Sequence, residues 1–150
     1  MIEYAVAHLK VKHVVLCGHT ACGGAVASLG DSRIGGVLDT WLTPLKAVRQ
    51  ANREELDSIK DDAKRAVRIA ELNVDAGVKV LLANFTITEA IRDRGLQVHG
   101  VLFDIACGKI KDLGLGTKGG NGGAGSDEVV RGKHAQLVFR GGNASMSAAP

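Results

Sequence analysis

The chain has 150 residues, 45% of them hydrophobic and 23% charged, with a formal net charge of +3. That length sets one domain as the expectation, with enough apolar residues for a core of its own. Basic residues alternate with acids, as in Arg53-Glu54-Glu55 and Lys60-Asp61-Asp62, so no cationic stripe marks a nucleic-acid partner. No apolar run approaches the roughly 20 residues of a membrane span.

Three cysteines, at positions 17, 22 and 107, are too few and too irregular for a disulfide framework, which points to a reducing, cytoplasmic compartment. The first segment, residues 2–10, places Ile2, Val6 and Leu9 on one helical face. The chain then passes through Val11-Lys12 into Val14-Val15-Leu16, a short unbroken apolar run of the kind found in strands covered on both faces, which stops at Gly18. Cys17, on the strand itself, is read as a small hydrophobe pointing into the core. His19 and Cys22 follow at an H-x-x-C spacing, which lets one tight turn offer an imidazole and a thiolate to one ion. Zinc suits that pair, and Gly23 and Gly24 remove side chains that would crowd it. A short helix from Ala25 to Leu29 would aim its N-terminus at the site. Backbone N–H groups of Gly23 and Gly24 there would either receive an anion or simply open a closely packed helix.

Gly30 to Gly36 reads as a loop. Asp39 or Thr40 caps a helix bearing Trp41, Leu42, Leu45 and Val48 on one face, with Pro44 in its first turn and Trp41 as a packing anchor. A charge-dense segment after Asn52 leads into one long helix over 56–84, apolar at steps of three and four. Thr86 and Glu89 fit a capping box and Gly95 a helix stop, giving a short helix over 88–94. Residues 96–105 form the second strong strand, followed by a turn and a short edge strand over 108–113. His99 is expected as a hydrogen-bonded core residue, and Cys107 as structural or incidental. Residues 114–125 hold seven glycines in twelve positions without a strand-to-helix context, the composition of a linker and not of a phosphate loop. The segment 134–140, HAQLVFR, reads as a late strand and the rest as a small-residue tail.

The turn Cys17-Gly18-His19-Thr20-Ala21-Cys22-Gly23-Gly24 resembles that of the β-class carbonic anhydrases. The likeness extends through Gly36-Val37-Leu38-Asp39-Thr40-Trp41-Leu42, Asn73-Val74 and Val98-His99-Gly100-Val101-Leu102-Phe103-Asp104-Ile105, roughly residues 1–114. The resemblance implies an α/β fold with a small, mainly parallel sheet flanked by helices, and hydration of CO2 to bicarbonate. It implies His19 and Cys22 as zinc ligands, bicarbonate as the anion for Gly23 and Gly24, and a homodimer.

In that family a C-x-D-S-R segment on an earlier strand supplies a second thiolate and an Asp–Arg pair. No such segment stands ahead of the H-x-x-C turn in this sequence, so no catalytic residue is assigned. Asp31-Ser32-Arg33 repeats the letters but follows the turn and has Leu29 where the cysteine belongs. Zinc is therefore expected to be weak or absent and the protein feebly active or inactive. The alternatives are an active enzyme completed by a partner chain, by Cys17 or by Cys107, and a non-catalytic dimeric scaffold or regulator of a complete paralogue. The division expected is a partial carbonic-anhydrase-like domain over 1–114, a glycine-rich linker over 115–133, and a C-terminal strand and tail over 134–150. The family's sheet order, without its first two strands, also leaves the edge of the 13–17 strand open, and HAQLVFR is the segment expected to fill it, in its own subunit or in a partner.

Overall fold

Two parallel strands fix the position of the site. In the computed structural model, β1 (His13–His19) pairs in parallel with β2 (Gln97–Asp104), His13 opposite Gln97 and His19 opposite Phe103. The structure describes residues 1–117 and the strand backbones of residues 128–131, 135–140 and 143–148. Between β1 and β2 the chain forms α1 (Gly23–Leu29), α2 (Val37–Ala51), α3 (Arg53–Ser58), α4 (Asp62–Leu82) and α5 (Phe85–Arg94). β3 (Lys109–Gly116) turns back antiparallel to β2, and β4 (Glu128–Arg131), β5 (Ala135–Arg140) and β6 (Asn143–Ala148) extend the sheet in the order β1-β2-β3-β6-β5-β4.

The α/β architecture stands, but the sheet is mixed and not mainly parallel. Only the β1–β2 pair, joined by the long helical crossover, is parallel; the other described pairs are antiparallel. β5 lies between β4 and β6, so it does not fill the open edge of β1 within the chain. Local antiparallel pairing closes short loops, whereas reaching β1 requires ordering a far longer stretch. His134 lies outside the described residues. β3 continues to Gly116, and β4 falls within the segment expected as linker; residues 118–127 are also outside the described set.

The first helical segment is a single π-helical turn, Tyr4–His8, in which the Leu9 N–H bonds the Tyr4 carbonyl at 3.0 Å. Of its expected apolar face only Val6 is buried; Ile2 and Leu9 are exposed. Arg94 secures this turn, donating to the carbonyls of Val11 and Val6. The expected helix over 56–84 is broken into α3 and α4. Asp61 is extended and its carboxylate accepts the Lys64 N–H at 2.9 Å, while Arg65 donates to the Ile59 carbonyl that ends α3. A side chain able to cap a new helix competes with continuing the old one. α5 is capped by Asn84, whose side chain accepts from Ile87 N–H, and stops at Gly95 in the left-handed region, φ 68°.

α4 serves two cores. On one side Val74, Val78 and Leu81 pack with Val6, Ile87, Leu96 and Val98. On the other, Ile69, Ala70 and Leu72 pack with Ala25, Leu42, Leu45, Leu56 and Leu102. The helix lies so close to β1 that a Cβ on Gly18 would fall 2.6 Å from Val74 Cγ2, and one on Gly77 2.5 Å from Leu16 Cδ2. Gly18 and Gly77 are therefore the residues that bring helix and strand together.

Candidate metal centre

β1 is the outer strand of the sheet, and one of its faces is exposed, so it is not covered on both faces as its apolar run suggested. Val15, Cys17 and His19 alternate along it and are exposed, while Val14, Leu16 and Gly18 turn toward the helices. Cys17 is consequently not the inert core thiol expected from sequence. Partial burial still pushes its thiol above the ordinary range, against a backbone hydrogen bond from Phe103 that lowers it.

After His19 the chain turns through Thr20 and Ala21, and Ala21 has a φ of 54°, uncommon for a residue with a Cβ. Cys22, half-buried, is the N-cap residue of α1. Cys17, His19 and Cys22 line one cavity of about 330 Å³, closed by Trp41 and Leu45 of α2 and Asn73 of α4. Trp41, expected as a packing anchor, is 67% exposed, and its ring stands over α1, where a Cβ on Gly24 would lie 3.2 Å from Cζ3. Nothing lies within 4 Å of the Cβ position of Gly23, so crowding explains only the second glycine. The helix they open has seven residues.

His19 is held in a definite way. Its Nδ1 lies 2.8 Å from the Thr20 carbonyl oxygen, which only accepts, so the ring proton belongs on Nδ1 and Nε2 keeps its lone pair. That is the arrangement of a metal-binding imidazole whose far nitrogen is fixed by a carbonyl. The donors present, an imidazole nitrogen and a cysteine sulfur, suit zinc. Among the described residues no group of three or more His, Cys, Asp or Glu side chains is placed to hold an ion. Cys107 lies on the turn after β2 and donates to Asp104 Oδ2 at 3.1 Å, while Asp31 of the DSR triplet pairs with Arg49 at 2.6 Å; neither lines the cavity.

His99 is 8% exposed, its Nε2 lying 3.2 Å from His13 Nδ1 with the two rings stacked, which is the hydrogen-bonded core residue expected. Sequence reasoning passed over Thr20 and Asp104. The Thr20 hydroxyl donates to Asp104 Oδ1 at 3.2 Å, linking the end of β1 to the end of β2. Hydrogen bonds from the Cys107 thiol, the Ala106 N–H and the Thr20 hydroxyl hold the Asp104 carboxyl below the usual range. Their only sequence signal was position, each at the C-terminal end of a parallel strand, where open α/β sheets carry their sites.

Asp39 and Pro44 also sit differently from expectation. α2 begins at Val37, so Pro44 lies inside the helix, and Asp39 accepts the N–H groups of Ile34 and Gly35 in the preceding loop instead of capping the helix.

The carbonic anhydrase family model matches residues 1–110. Carbonic anhydrase from Candida albicans is 40% identical over 114 residues, covering 75% of this chain and 41% of that protein. Carbonic anhydrase from Emericella nidulans is 39% identical over 116 residues, covering 77% and 50%. Among solved structures, a tetrameric β-carbonic anhydrase from Sordaria macrospora is 69% identical with a TM-score of 0.77, over 78% of this chain and 59% of that one. The β-carbonic anhydrase CafA of Aspergillus fumigatus is 48% identical with a TM-score of 0.72, over 75% and 53%. The chain thus spans about half the length of these relatives. An H-x-x-C turn closing a parallel strand, the helical crossover behind it and these likenesses agree, and the chain belongs to the β-carbonic anhydrase family.

Proposed function

We propose that this chain is a β-carbonic-anhydrase-like protein of CO2 and bicarbonate chemistry in which His19 and Cys22 seat zinc weakly, leaving the chain alone feeble or silent as an enzyme. The observation that carries this reading is the His19–Cys22 pair at one cavity, with His19 Nδ1 committed to the Thr20 carbonyl and Nε2 kept as a donor. Zinc supplies, when bound, a water acidified toward a pKa of about 7 for attack on CO2. The chain's own contributions are to orient the imidazole through Thr20 and to offer an apolar wall of Leu42, Leu45 and Ala70 beside the two donors. Complete structural zinc sites reach about 10 to 16 kcal/mol of apparent binding free energy. A pair of protein donors forfeits a large share of it. The three free thiols suit a reducing cytoplasm.

Zinc analysis of the purified chain together with a stopped-flow CO2 hydration assay tests the reading. Well under one zinc per chain and turnover near the uncatalysed rate are expected. Stoichiometric zinc with full turnover in the isolated chain would overturn it. A second reading, a homodimer or larger assembly whose partner chain completes the site, is favoured by the open edge of β1 and the exposure of Cys17 and His19. In that case zinc content rises with assembly in sedimentation fractions.

A further inference from the structure

The H-x-x-C turn is anchored by a residue that is not one of the two donors. Thr20 engages four partners: its N–H donates to the Phe103 carbonyl at 2.9 Å, its hydroxyl donates to Asp104 Oδ1 at 3.2 Å, the same hydroxyl accepts the Ile105 N–H at 3.0 Å, and its carbonyl accepts His19 Nδ1 at 2.8 Å. Asp104 is itself held from three sides. Oδ1 also accepts the Ala106 N–H at 3.0 Å, Oδ2 accepts the Cys107 thiol at 3.1 Å, and the Asp104 carbonyl accepts the Gly108 N–H at 2.8 Å.

This stitching has work to do, because the next residue along is in an unfavourable conformation. Ala21 at φ 54° costs about 1 to 2 kcal/mol relative to a right-handed backbone. Such a conformation persists only where its surroundings over-determine it. The Thr20 bonds to the end of β2 fix the chain on one side of Ala21, and the Val26 N–H bond to the Cys22 carbonyl at 3.0 Å fixes it on the other.

We infer that Asp104, acting through Thr20, is a positioning residue for His19. The carboxylate fixes the Thr20 hydroxyl, the fixed residue presents its carbonyl to the ring, and the carbonyl keeps the proton on Nδ1 so that Nε2 stays a lone-pair donor. The inference deepens the metal reading above and rests on it for its zinc arm; the tautomer arm stands without any metal.

The test uses the ¹⁵N-labelled, metal-free chain near pH 8, above the ordinary imidazole range, and reads the His19 tautomer by two-bond ¹⁵N–¹H correlation. The wild type is expected as the Nδ1–H form. Asp104→Ala and Thr20→Val are expected to move His19 toward Nε2–H, while Asp104→Asn and Thr20→Ser, which keep the carbonyl acceptor and the hydroxyl, restore the wild-type signal. A role confined to folding would move the melting temperature and leave the tautomer of the folded fraction unchanged. In parallel, zinc competition against a chromophoric chelator is expected to show about a 10-fold loss of affinity in Asp104→Ala. A folded Asp104→Ala or Thr20→Val chain that keeps the wild-type tautomer overturns the inference. Should Asp104→Ala not fold, the Thr20→Val and Thr20→Ser pair decides it alone. A tautomer shift with no zinc held by any of the chains supports the positioning role and overturns the metal reading instead.

Discussion

Ala21 and Glu71 show how single residues settle their own energetics. The left-handed backbone at Ala21 is tolerated and not preferred, so glycine there should relieve strain. Against about 1 to 2 kcal/mol of steric cost stands about 0.5 to 1 kcal/mol of extra unfolded-state entropy for glycine. Ala21→Gly is therefore expected to raise stability by up to about 1.5 kcal/mol, read as a higher urea midpoint at unchanged slope. Glu71 joins α4 to β3, its carboxylate accepting Lys111 Nζ at 2.9 Å and Arg68 Nη1 at 3.0 Å. Burial pushes this carboxyl up, but the hydrogen bonds from Lys111 and Arg68 outweigh it and leave the group below the ordinary 4.5. A carboxyl whose folded pKa is depressed contributes stability that is complete above its unfolded pKa and is lost as pH falls through the folded one. Glu71→Gln should thus cost about 1 kcal/mol at neutral pH, and the gap to wild type should begin to narrow as pH falls below about 4.5. A gap that widened on acidification would contradict the assignment.

At the level of elements, helix and strand meet through glycines. Gly18→Ala would thrust a methyl at Val74 and Leu102, and overpacking of this kind costs about 1 to 3 kcal/mol. Ile69, fully buried between α4 and its neighbours, should lose about 2 to 5 kcal/mol on truncation to alanine, measured by denaturant unfolding. These contacts also show what was legible beforehand. The parallel pairing of β1 with β2 was implied by the family resemblance, whereas Gly95 announced the end of α5 through its need for a left-handed backbone. Helix starts were less legible: Asn84, not a Thr–Glu box, caps α5, and Asp61 splits a periodic stretch that looked continuous. Exposure was the hardest to foresee. Whether Cys17 faces a core or a cavity depends on what packs against that face of β1, a property of the tertiary arrangement that three apolar letters in a row do not encode. His19 and Cys22 were legible because ligand chemistry fixes both residue type and spacing, whereas Thr20 and Asp104 act by hydrogen bonds that many residue types at many spacings can make.

For the molecule as a whole, the open edge of β1 is the feature with the widest reach. A strand that displays Val15 and, among the described residues, has a neighbouring strand on one side only is a template for another strand. Val15→Lys is expected to lower concentration-dependent association in sedimentation velocity, since a charge on an edge is the common means of blunting it. Among the described residues no helix is long and apolar enough to cross a membrane. This edge and the exposed Trp41 are two surfaces on which assembly can be sought.

Because α4 is shared by both cores, neither can come apart and leave the other whole. Solvent hydrogen should reach the amides of its middle turns only when the entire domain opens. The seven-residue α1 and the single turn at Tyr4–His8 should trade their protons through smaller, faster excursions. An exchange map would then show one late-labelling rod with early-labelling ends hung from it, and denaturant should raise the rate of the rod in step with global unfolding.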